Sequence, residues 1–251
     1  MQDYHEEYAK YYESLTGHKD YKKEVELLIN FIKSNGFNSD SRILSIGCGI
    51  GKHENMLATY FSEIVGIDNS PHMIKNARNL YQRNNLEFIC CDIKDLNNEK
   101  FDIVISLFNV LNCIKNINKL SEMMKNISRL TNKKNIFIFE IWNKEAVKKK
   151  PPEIIIRNYK NKDLLMKRIA TPIFDKKKSL ININYEISGT KKEEVFELNS
   201  THKIYLYSKE KIEEYLSKNN FKNIEWYSAL SENLNLLRPQ DRMLFCKSNF
   251  I

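Results

Sequence analysis

Apolar segments of two kinds alternate through the first half of the chain. The first kind is a short, almost continuously apolar run, which is typical of a strand buried on both faces of a sheet. The second kind places apolar residues three and four positions apart, which predicts amphipathic helices. The predicted strands cover residues 42–46, 63–68, 86–92, 101–108 and 135–142, and the helices cover 20–34, 53–61, 70–84 and 118–131. This alternation predicts a doubly wound parallel sheet.

The pattern changes after Pro151 and Pro152. Segments rich in Ile, Val, Leu and Tyr follow one another with only turn residues between them, which predicts antiparallel strands. These strands are predicted over 153–158, 163–173, 179–188 and 193–207, before a helix over 208–221 and two strands over 222–230 and 242–248. Because we find no repeat and no flexible linker, we expect the antiparallel strands to be inserted into one domain.

The expected organisation is one α/β domain over 1–251, in which a seven-stranded mixed sheet carries an inserted antiparallel cover. Its parts are an N-terminal helical segment, a core, the inserted strands and a final helix with two strands, over 1–40, 41–150, 151–207 and 208–251. A chain that is 42% hydrophobic can fill a core of this size. No apolar run approaches the roughly 20 residues that span a bilayer, and the polar N-terminus is unlike a signal peptide. We therefore expect a cytoplasmic protein without membrane contact.

The cysteines give no framework for disulfide bonds or for zinc. Their number is odd and no CxxC pair occurs among Cys48, Cys90, Cys91, Cys113 and Cys246. We expect reduced thiols and no metal site.

Net charge is +8 and the isoelectric point is about 9.0, which by itself suggests a nucleic-acid partner. Only eight of the 40 basic residues are arginine, however. Arginine is the residue of bidentate phosphate and base recognition, whereas scattered lysine usually forms a solvated surface. We therefore expect no nucleic-acid partner, and a surface that attracts an anionic small molecule.

Candidate chemistry appears where the first strand ends in glycines. The segment ILSIGCGIG, residues 43–51, follows a strand and precedes a helix, and its glycines let a ligand approach the main chain. Asp68 ends the second strand, where an acid accepts hydrogen bonds from ribose hydroxyls in such sheets. Asp92 ends the third strand. Because open α/β sheets bind ligands at the carboxyl ends of their strands, these residues predict a nucleotide-type site.

The GxGxG spacing, with Lys52 where a dinucleotide site would want a third glycine, resembles class I methyltransferases. The resemblance covers about residues 43–142 and implies S-adenosyl-L-methionine as cofactor. By it, the glycines approach the methionine part, Asp68 holds the ribose and Asp92 the adenine amino group. The implied cofactor-binding residues are Tyr12, Tyr21, Gly47, Cys48, Gly49, Gly51, Asp68, Asn69, Met73, Asp92, Ile93, Leu107 and Phe108. Ser45 departs from the family, which usually has an acid there to fix the methionyl end.

The terminal parts refine this resemblance. Residues 8–24 resemble the amino-terminal lid of small-molecule methyltransferases, which implies that Tyr12 and Tyr21 cover the cofactor. Residues 184–221 resemble nucleotide-amino-sugar N-methyltransferases of the desosamine type, with His202 at the start of a strand and Tyr207-Ser208 at its end. Those enzymes have a histidine after the fourth strand where this chain has Cys113, and a neutral thiol is a poor base.

The resemblance implies in-line methyl transfer to a small polar metabolite. Its candidate catalytic residues are His202, Tyr12 and Glu140, of which His202 is the first choice because histidine titrates near neutrality. The expected acceptor is an amino or hydroxyl group of a nucleotide sugar in surface-polysaccharide or antibiotic-type biosynthesis.

An alternative is O-methylation of a small anionic phosphate or phosphoramidate capsule precursor, whose charged oxygen needs no base. An RNA methyltransferase and a non-catalytic binding protein are further alternatives. We expect a monomer or a homodimer.

Overall fold

Strands and helices alternate over the first half of the chain in a computed structural model that describes residues 6–229, 241 and 243–250. The helices are α1 (Glu6–Thr16), α2 (Tyr21–Ser34), α3 (Lys52–Leu57), α4 (Pro71–Leu80), α5 (Ile117–Leu130), α6 (Lys144–Lys149) and α7 (Lys209–Lys218). The strands are β1 (Arg42–Ile46), β2 (Glu63–Asp68), β3 (Leu86–Cys90), β4 (Phe101–Ser106), β5 (Thr131–Trp142), β6 (Ile155–Lys160), β7 (Leu164–Asp175), β8 (Leu180–Lys191), β9 (Glu194–Tyr205), β10 (Phe221–Ser228) and β11 (Met243–Phe250).

The main sheet has seven strands in the order β10-β11-β5-β4-β1-β2-β3. Strands β1 to β5 run parallel, and β11 lies antiparallel between β5 and β10. In the register, Leu44 of β1 lies opposite Val65 of β2 and Val104 of β4. The predicted seven-stranded mixed sheet is confirmed, and the carboxyl ends of its parallel strands share one edge.

Helices cover both faces of this sheet with apolar side chains. On one face, Val25, Leu28 and Ile32 of α2 pack against strand residues such as Ile43 and Ile103. On the other face, the side chains of α5 and α7 pack against β4, β5 and β11 in a second cluster. Burial on both faces explains why the sequence of the parallel strands is almost continuously apolar.

Local sequence sets the helix ends that border the site. Helix α4 begins after Ser70, whose Oγ accepts a hydrogen bond from Met73 N, and Pro71 occupies its first position. Helix α3 is shorter than the predicted 53–61 and ends at Leu57. The Thr59 hydroxyl donates to Met56 O at 2.6 Å, and such side-chain bonds compete with helical backbone bonds.

Residues 155–205 form a separate antiparallel sheet in the order β6-β7-β8-β9. This confirms the predicted antiparallel strands, with boundaries one to three residues away from the predicted ones. Apolar side chains of the sheet's inner face, including Leu164, Met166 and Ile187, pack against Tyr8 and Tyr11 of α1. The antiparallel sheet therefore lies over α1, and we call it the cover sheet.

A buried asparagine joins the cover sheet to the main sheet. Asn112 follows β4 and is 0% exposed. Its Nδ2 donates to Tyr205 O of β9 at 2.8 Å, and its Oδ1 accepts from Trp142 N of β5 at 2.9 Å. The Tyr207 hydroxyl also donates to Ile114 O. These bonds fix the end of the cover sheet against the loop that follows β4.

Two predicted boundaries, at residues 230 and 242, lie outside the described residues. In the part of the chain that the structure describes, no helix combines the length and the apolar character that crossing a membrane requires. No group of three or more His, Cys, Asp or Glu side chains within the same residues is arranged to hold a metal ion.

Candidate active site

The glycine loop after β1 adopts a left-handed backbone. The angle φ is +73° at Gly47 and +77° at Gly51. A Cβ atom on Gly51 would lie 2.2 Å from Cζ of Phe88, and one on Gly47 would lie 2.4 Å from Cγ2 of Val110. The packing of the protein itself therefore requires these two glycines.

Open space lies in front of Gly49, whose φ is +57°. Among the described residues, an added Cβ there would approach only Cε1 of Tyr12, at 4.0 Å. The Gly49 amide donates to Asp68 Oδ2 at 2.9 Å, and Asp68 Oδ1 accepts from Ser70 N at 2.8 Å. Burial raises the pKa of Asp68, and the donating backbone amides oppose that shift. The bare main chain at Gly49 and the carboxylate beside it form a cradle open to a ligand.

A buried acid that the sequence analysis did not select borders the same cleft. Glu54 of α3 is 2% exposed, and Ser45 Oγ donates to its Oε1 at 2.5 Å. Its other oxygen, Oε2, has no hydrogen-bond partner among the described residues. Desolvation raises the pKa of Glu54. Ser45 therefore positions a carboxylate supplied by the next helix, and both residues line the cleft with Gly47 and Gly49.

Tyr12 and Tyr21 line this cleft from the N-terminal helices. The ring of Tyr21 lies 4.8 Å from the ring of His53, and Lys52 Nζ lies 4.6 Å from its centroid. Burial raises the pKa of Tyr21 to about 12 and that of Tyr12 well above its usual range. Both hydroxyls are therefore protonated at neutral pH and can donate hydrogen bonds.

The loop after β4 brings Leu107 and Phe108 to the cleft. Glu140 of β5 is 6% exposed, and its Oε2 accepts a hydrogen bond from Phe108 N at 3.0 Å. Burial raises the pKa of Glu140. Lys19 Nζ lies 4.0 Å from the centroid of the Phe108 ring. In this arrangement Glu140 anchors the loop, which is a positioning contact.

Four further predicted residues lie at the ends of β2 and β3. Met73 is buried in the first turn of α4, whereas Asn69 is exposed. Asp92 caps a single 3-10 turn, with its Oδ1 accepting from Lys94 N at 3.1 Å, and Ile93 is buried behind it. All four follow strands whose carboxyl ends lie at the same edge of the sheet as the glycine loop.

His202 lies on β9, on the inner face of the cover sheet, and is 6% exposed. Its ring centroid is 4.9 Å from that of Tyr8 and 4.8 Å from that of Tyr185, both edge to face. Tyr8 is in turn 6.0 Å from Tyr12. Desolvation, helped by the charge of Arg168, lowers the pKa of His202 to about 4. The imidazole is therefore neutral at pH 7, and a line of rings connects it to the glycine loop.

The two cysteines near the site are protonated. Burial raises the pKa of Cys113 to about 12 and that of Cys48 well above its usual range. Cys113 Sγ donates to Asn109 O at 3.5 Å. The described part of the loop after β4 thus offers no strong base.

Comparison with known families agrees with this geometry. A family described as a methyltransferase domain matches residues 37–180, which is more than half of the chain. The chain belongs to this methyltransferase family. The match includes the glycine loop, Asp68, Asp92 and the loop after β4, so these elements belong to the methyltransferase domain.

Curated relatives match this chain over part of its length. One is a malonyl-[acyl-carrier protein] O-methyltransferase of Acetivibrio thermocellus, 36% identical over 103 residues, which are 39% of this chain and 35% of that protein. The chain spans less than half of the length of the curated relatives it matches first.

Solved structures match the fold over nearly the whole chain. An S-adenosylmethionine-dependent methyltransferase from Clostridium acetobutylicum has a TM-score of 0.80 at 22% identity and 96% coverage of both chains. CalS10 of Micromonospora echinaspora, an amino pentose methyltransferase with bound S-adenosylmethionine, has a TM-score of 0.76 at 15% identity, covering 94% of this chain and 95% of that one. The Rossmann-like methyltransferase fold, cover sheet included, is therefore shared with these proteins.

Sequence reasoning missed the residues that surround His202 and the carboxylate of Glu54. Tyr185 lies on β8 and Arg168 on β7, so only the strand register places them beside His202. Glu54 lies nine positions after Ser45 in the sequence, so only the fold places its carboxylate beside the serine.

Proposed function

We propose that this methyltransferase transfers a methyl group from S-adenosyl-L-methionine to a small polar acceptor bound beneath the cover sheet. The line of rings from His202 through Tyr8 and Tyr12 to Gly49 carries this proposal. It joins two parts of the molecule. One is the edge of the main sheet where β1, β2, β3 and β4 end, which we call the cofactor edge, and the other is the inner face of the cover sheet. Aromatic walls with a few polar groups are typical of small-molecule sites.

On the cofactor side, Asp68 would accept the ribose hydroxyls, and Asp92 with the Ile93 amide would bind the adenine. Met73, Leu107 and Phe108 would pack on the adenine and the sulfonium. The glycine loop would lie against the methionyl part.

Glu54 would bind the methionyl ammonium group. Its buried Oε2 has no hydrogen-bond partner among the described residues, which is costly for a carboxylate unless a donor binds there. Ser45 would hold this carboxylate in position, which accounts for the missing acid at residue 45.

The bound cofactor supplies an electrophilic methyl group, and the chain's residues must align the acceptor and exclude water. Neutral His202 can accept a hydrogen bond from the acceptor, whereas an imidazole with a pKa of about 4 is a weak general base at neutral pH. Tyr12 would donate a hydrogen bond, and Glu140 would keep the Phe108 loop in place.

The leading acceptor is an amino or hydroxyl group of a nucleotide sugar, which is supported by the fold shared with an amino pentose methyltransferase. The second candidate is a small anionic phosphate or phosphoramidate compound. The low pKa of His202 and the protonated Cys113 favour it, because an anionic oxygen needs no base before it attacks.

The test is transfer of radiolabelled methyl from the cofactor to three acceptor sets, namely nucleotide-linked amino sugars, small phosphorylated compounds and bulk RNA. We expect label in one of the first two sets and none in RNA. Label only in RNA, or in none of the three sets, would contradict the proposal. His202→Asn is the matched variant, and full turnover in it would remove His202 from the catalytic assignment.

A further inference from the structure

Two arginines lie side by side on the inner face of the cover sheet. Arg157 of β6 and Arg168 of β7 are direct cross-strand partners in the register. Both are half-buried. Like charges directly opposite each other in a sheet are destabilising, so this pair needs a compensating group.

The protein supplies little compensation for these charges. Neither arginine forms an ion pair with any described carboxylate, although other arginines such as Arg42 do. Arg168 Nη1 donates to Leu15 O, near the C-terminus of α1, at 3.2 Å. The Nε atoms of both side chains are buried and have no hydrogen-bond acceptor among the described residues. The structure therefore contains two guanidinium groups with donors to spare.

The surroundings of the pair suit an anion. The Tyr159 hydroxyl, on the same strand as Arg157, donates to Leu15 O at 2.7 Å and lies 3.3 Å from His18 Nδ1. Partial burial and then the charges of Arg157 and Arg168 lower the pKa of His18 to about 4. A nearby histidine thus experiences the positive field of the two arginines, and no carboxylate among the described residues forms an ion pair with either of them.

The pair also lies next to the proposed acceptor site. The Arg168 guanidinium carbon is 5.5 Å from the centroid of the Tyr185 ring, and Tyr185 contacts both His202 and Tyr8. A group bound by the arginines would therefore reach the line of rings that leads to the glycine loop.

We propose that Arg157 and Arg168 form a binding site for a phosphoryl group of the acceptor substrate. The inference rests on the proposed function, since it assigns the charge of the acceptor that the methyltransferase would bind. Guanidinium groups present a planar fork of donors that matches phosphate oxygens, and a bound phosphate would satisfy the two unused Nε donors. The phosphoryl group could belong to a nucleotide sugar or to a small phosphorylated compound.

Calorimetric titration with inorganic phosphate and with uridine diphosphate tests the site, using the full chain. We expect both anions to bind the wild type, and Arg157→Gln with Arg168→Gln to weaken binding at least tenfold. Lys167→Gln removes one charge from the exposed face of the same strand and should leave the affinity unchanged. Uridine diphosphate binding much more tightly than phosphate would indicate a nucleotide-linked acceptor, and equal affinities a small phosphorylated one.

Two controls keep the result interpretable. Cofactor titration of every variant separates loss of the anion site from loss of the fold or of the methyltransferase site. Arginine modification by phenylglyoxal, mapped by mass spectrometry on the wild type, requires no variant, and uridine diphosphate should protect Arg157 and Arg168. Absence of anion binding to a wild type that binds the cofactor, unchanged affinity in the double variant, or absence of protection would each overturn the proposal.

Discussion

The cofactor edge and the cover sheet differ in how their polar groups are satisfied. At the cofactor edge, Asp68 accepts backbone amides from its own β2 end and from the adjacent glycine loop. On the cover sheet, Arg157, Arg168 and His202 come from three different strands, and Arg168 and His202 contact α1. In this first region, the buried side-chain oxygens without a hydrogen-bond partner among the described residues are Glu54 Oε2 and Asn109 Oδ1. The cover sheet contains guanidinium donors of Arg157 and Arg168 that have no acceptor among the described residues. Such donors would determine which acceptor substrate binds.

Substitutions in the glycine loop should have the largest effects, and they separate a glycine needed for packing from a glycine needed for ligand binding. Gly51→Ala combines a positive φ with a Cβ 2.2 Å from Phe88, and we expect it to cost about 3–4 kcal/mol of stability. Gly49→Ala has the strain without the overlap, so it should cost about 1 kcal/mol but weaken cofactor binding. Thermal unfolding and cofactor titration of both variants measure the contrast, and equal stability losses would contradict it.

The burial of His202 in the cover sheet should make the stability of the protein depend on pH. The pKa of His202 falls from 6.5 to about 4 on folding. The stability that the neutral imidazole contributes to the free energy of unfolding is therefore fully present above pH 6.5. That stability is lost as the pH falls from about 6.5 to 4, by about 3 kcal/mol.

In His202→Asn the loss over this window should be smaller, and the slope that remains belongs in part to His18. Urea unfolding at several pH values is the measurement. A variant with the wild-type slope would show that His202 is not buried as a neutral group.

Substitution of Asp68 should weaken cofactor binding without affecting anion binding at the arginine pair. Asp68→Ala removes the acceptor of Gly49 N and Ser70 N together with the proposed ribose contact, so we expect cofactor affinity to fall about 100-fold. Phosphate binding by the arginine pair should change less than about twofold. Calorimetry with each ligand checks both, and an unchanged cofactor affinity would remove Asp68 from the site.

Glu54 gives the smallest of these effects. Glu54→Gln keeps the shape of the side chain and the bond from Ser45 but loses the charge, and we expect cofactor affinity to fall about tenfold. 5′-Methylthioadenosine lacks the methionyl ammonium group, so its affinity should not change. If both ligands weakened equally, Glu54 would be acting on the loop and not on the ammonium group.

The sequence predicted the cofactor edge better than the cover sheet for a physical reason. Gly47, Gly49, Asp68 and Asp92 follow apolar strands directly, and strand order alone brings such residues together. The location of His202 on an inner face needed the register between β8 and β9. A shift of one residue reverses the face on which a strand residue lies, so spacing alone could not group it with Arg168.

The arrangement of charged residues was also difficult to predict from composition. The net charge of +8 comes mostly from lysine, and the small number of arginines argues against a nucleic-acid partner. In the structure, two of those arginines are cross-strand partners, and their Nε atoms have no hydrogen-bond acceptor among the described residues. Composition could not reveal this, because cross-strand pairing depends on long-range register. Glu54 shows the same limit for an acid. In the sequence, Ser45 stands where the family usually has an acid, and only the fold shows that Glu54 places a carboxylate beside it.

The proposed function depends above all on a cofactor site between the glycine loop and the N-terminal tyrosines. Calorimetric titration of the wild-type chain with S-adenosyl-L-methionine tests it most directly, with Asp68→Ala measured alongside. We predict saturable binding of one cofactor per chain well below about 1 mM, weakened in the variant. No binding up to about 1 mM, or equal binding by the wild type and Asp68→Ala, would contradict the account.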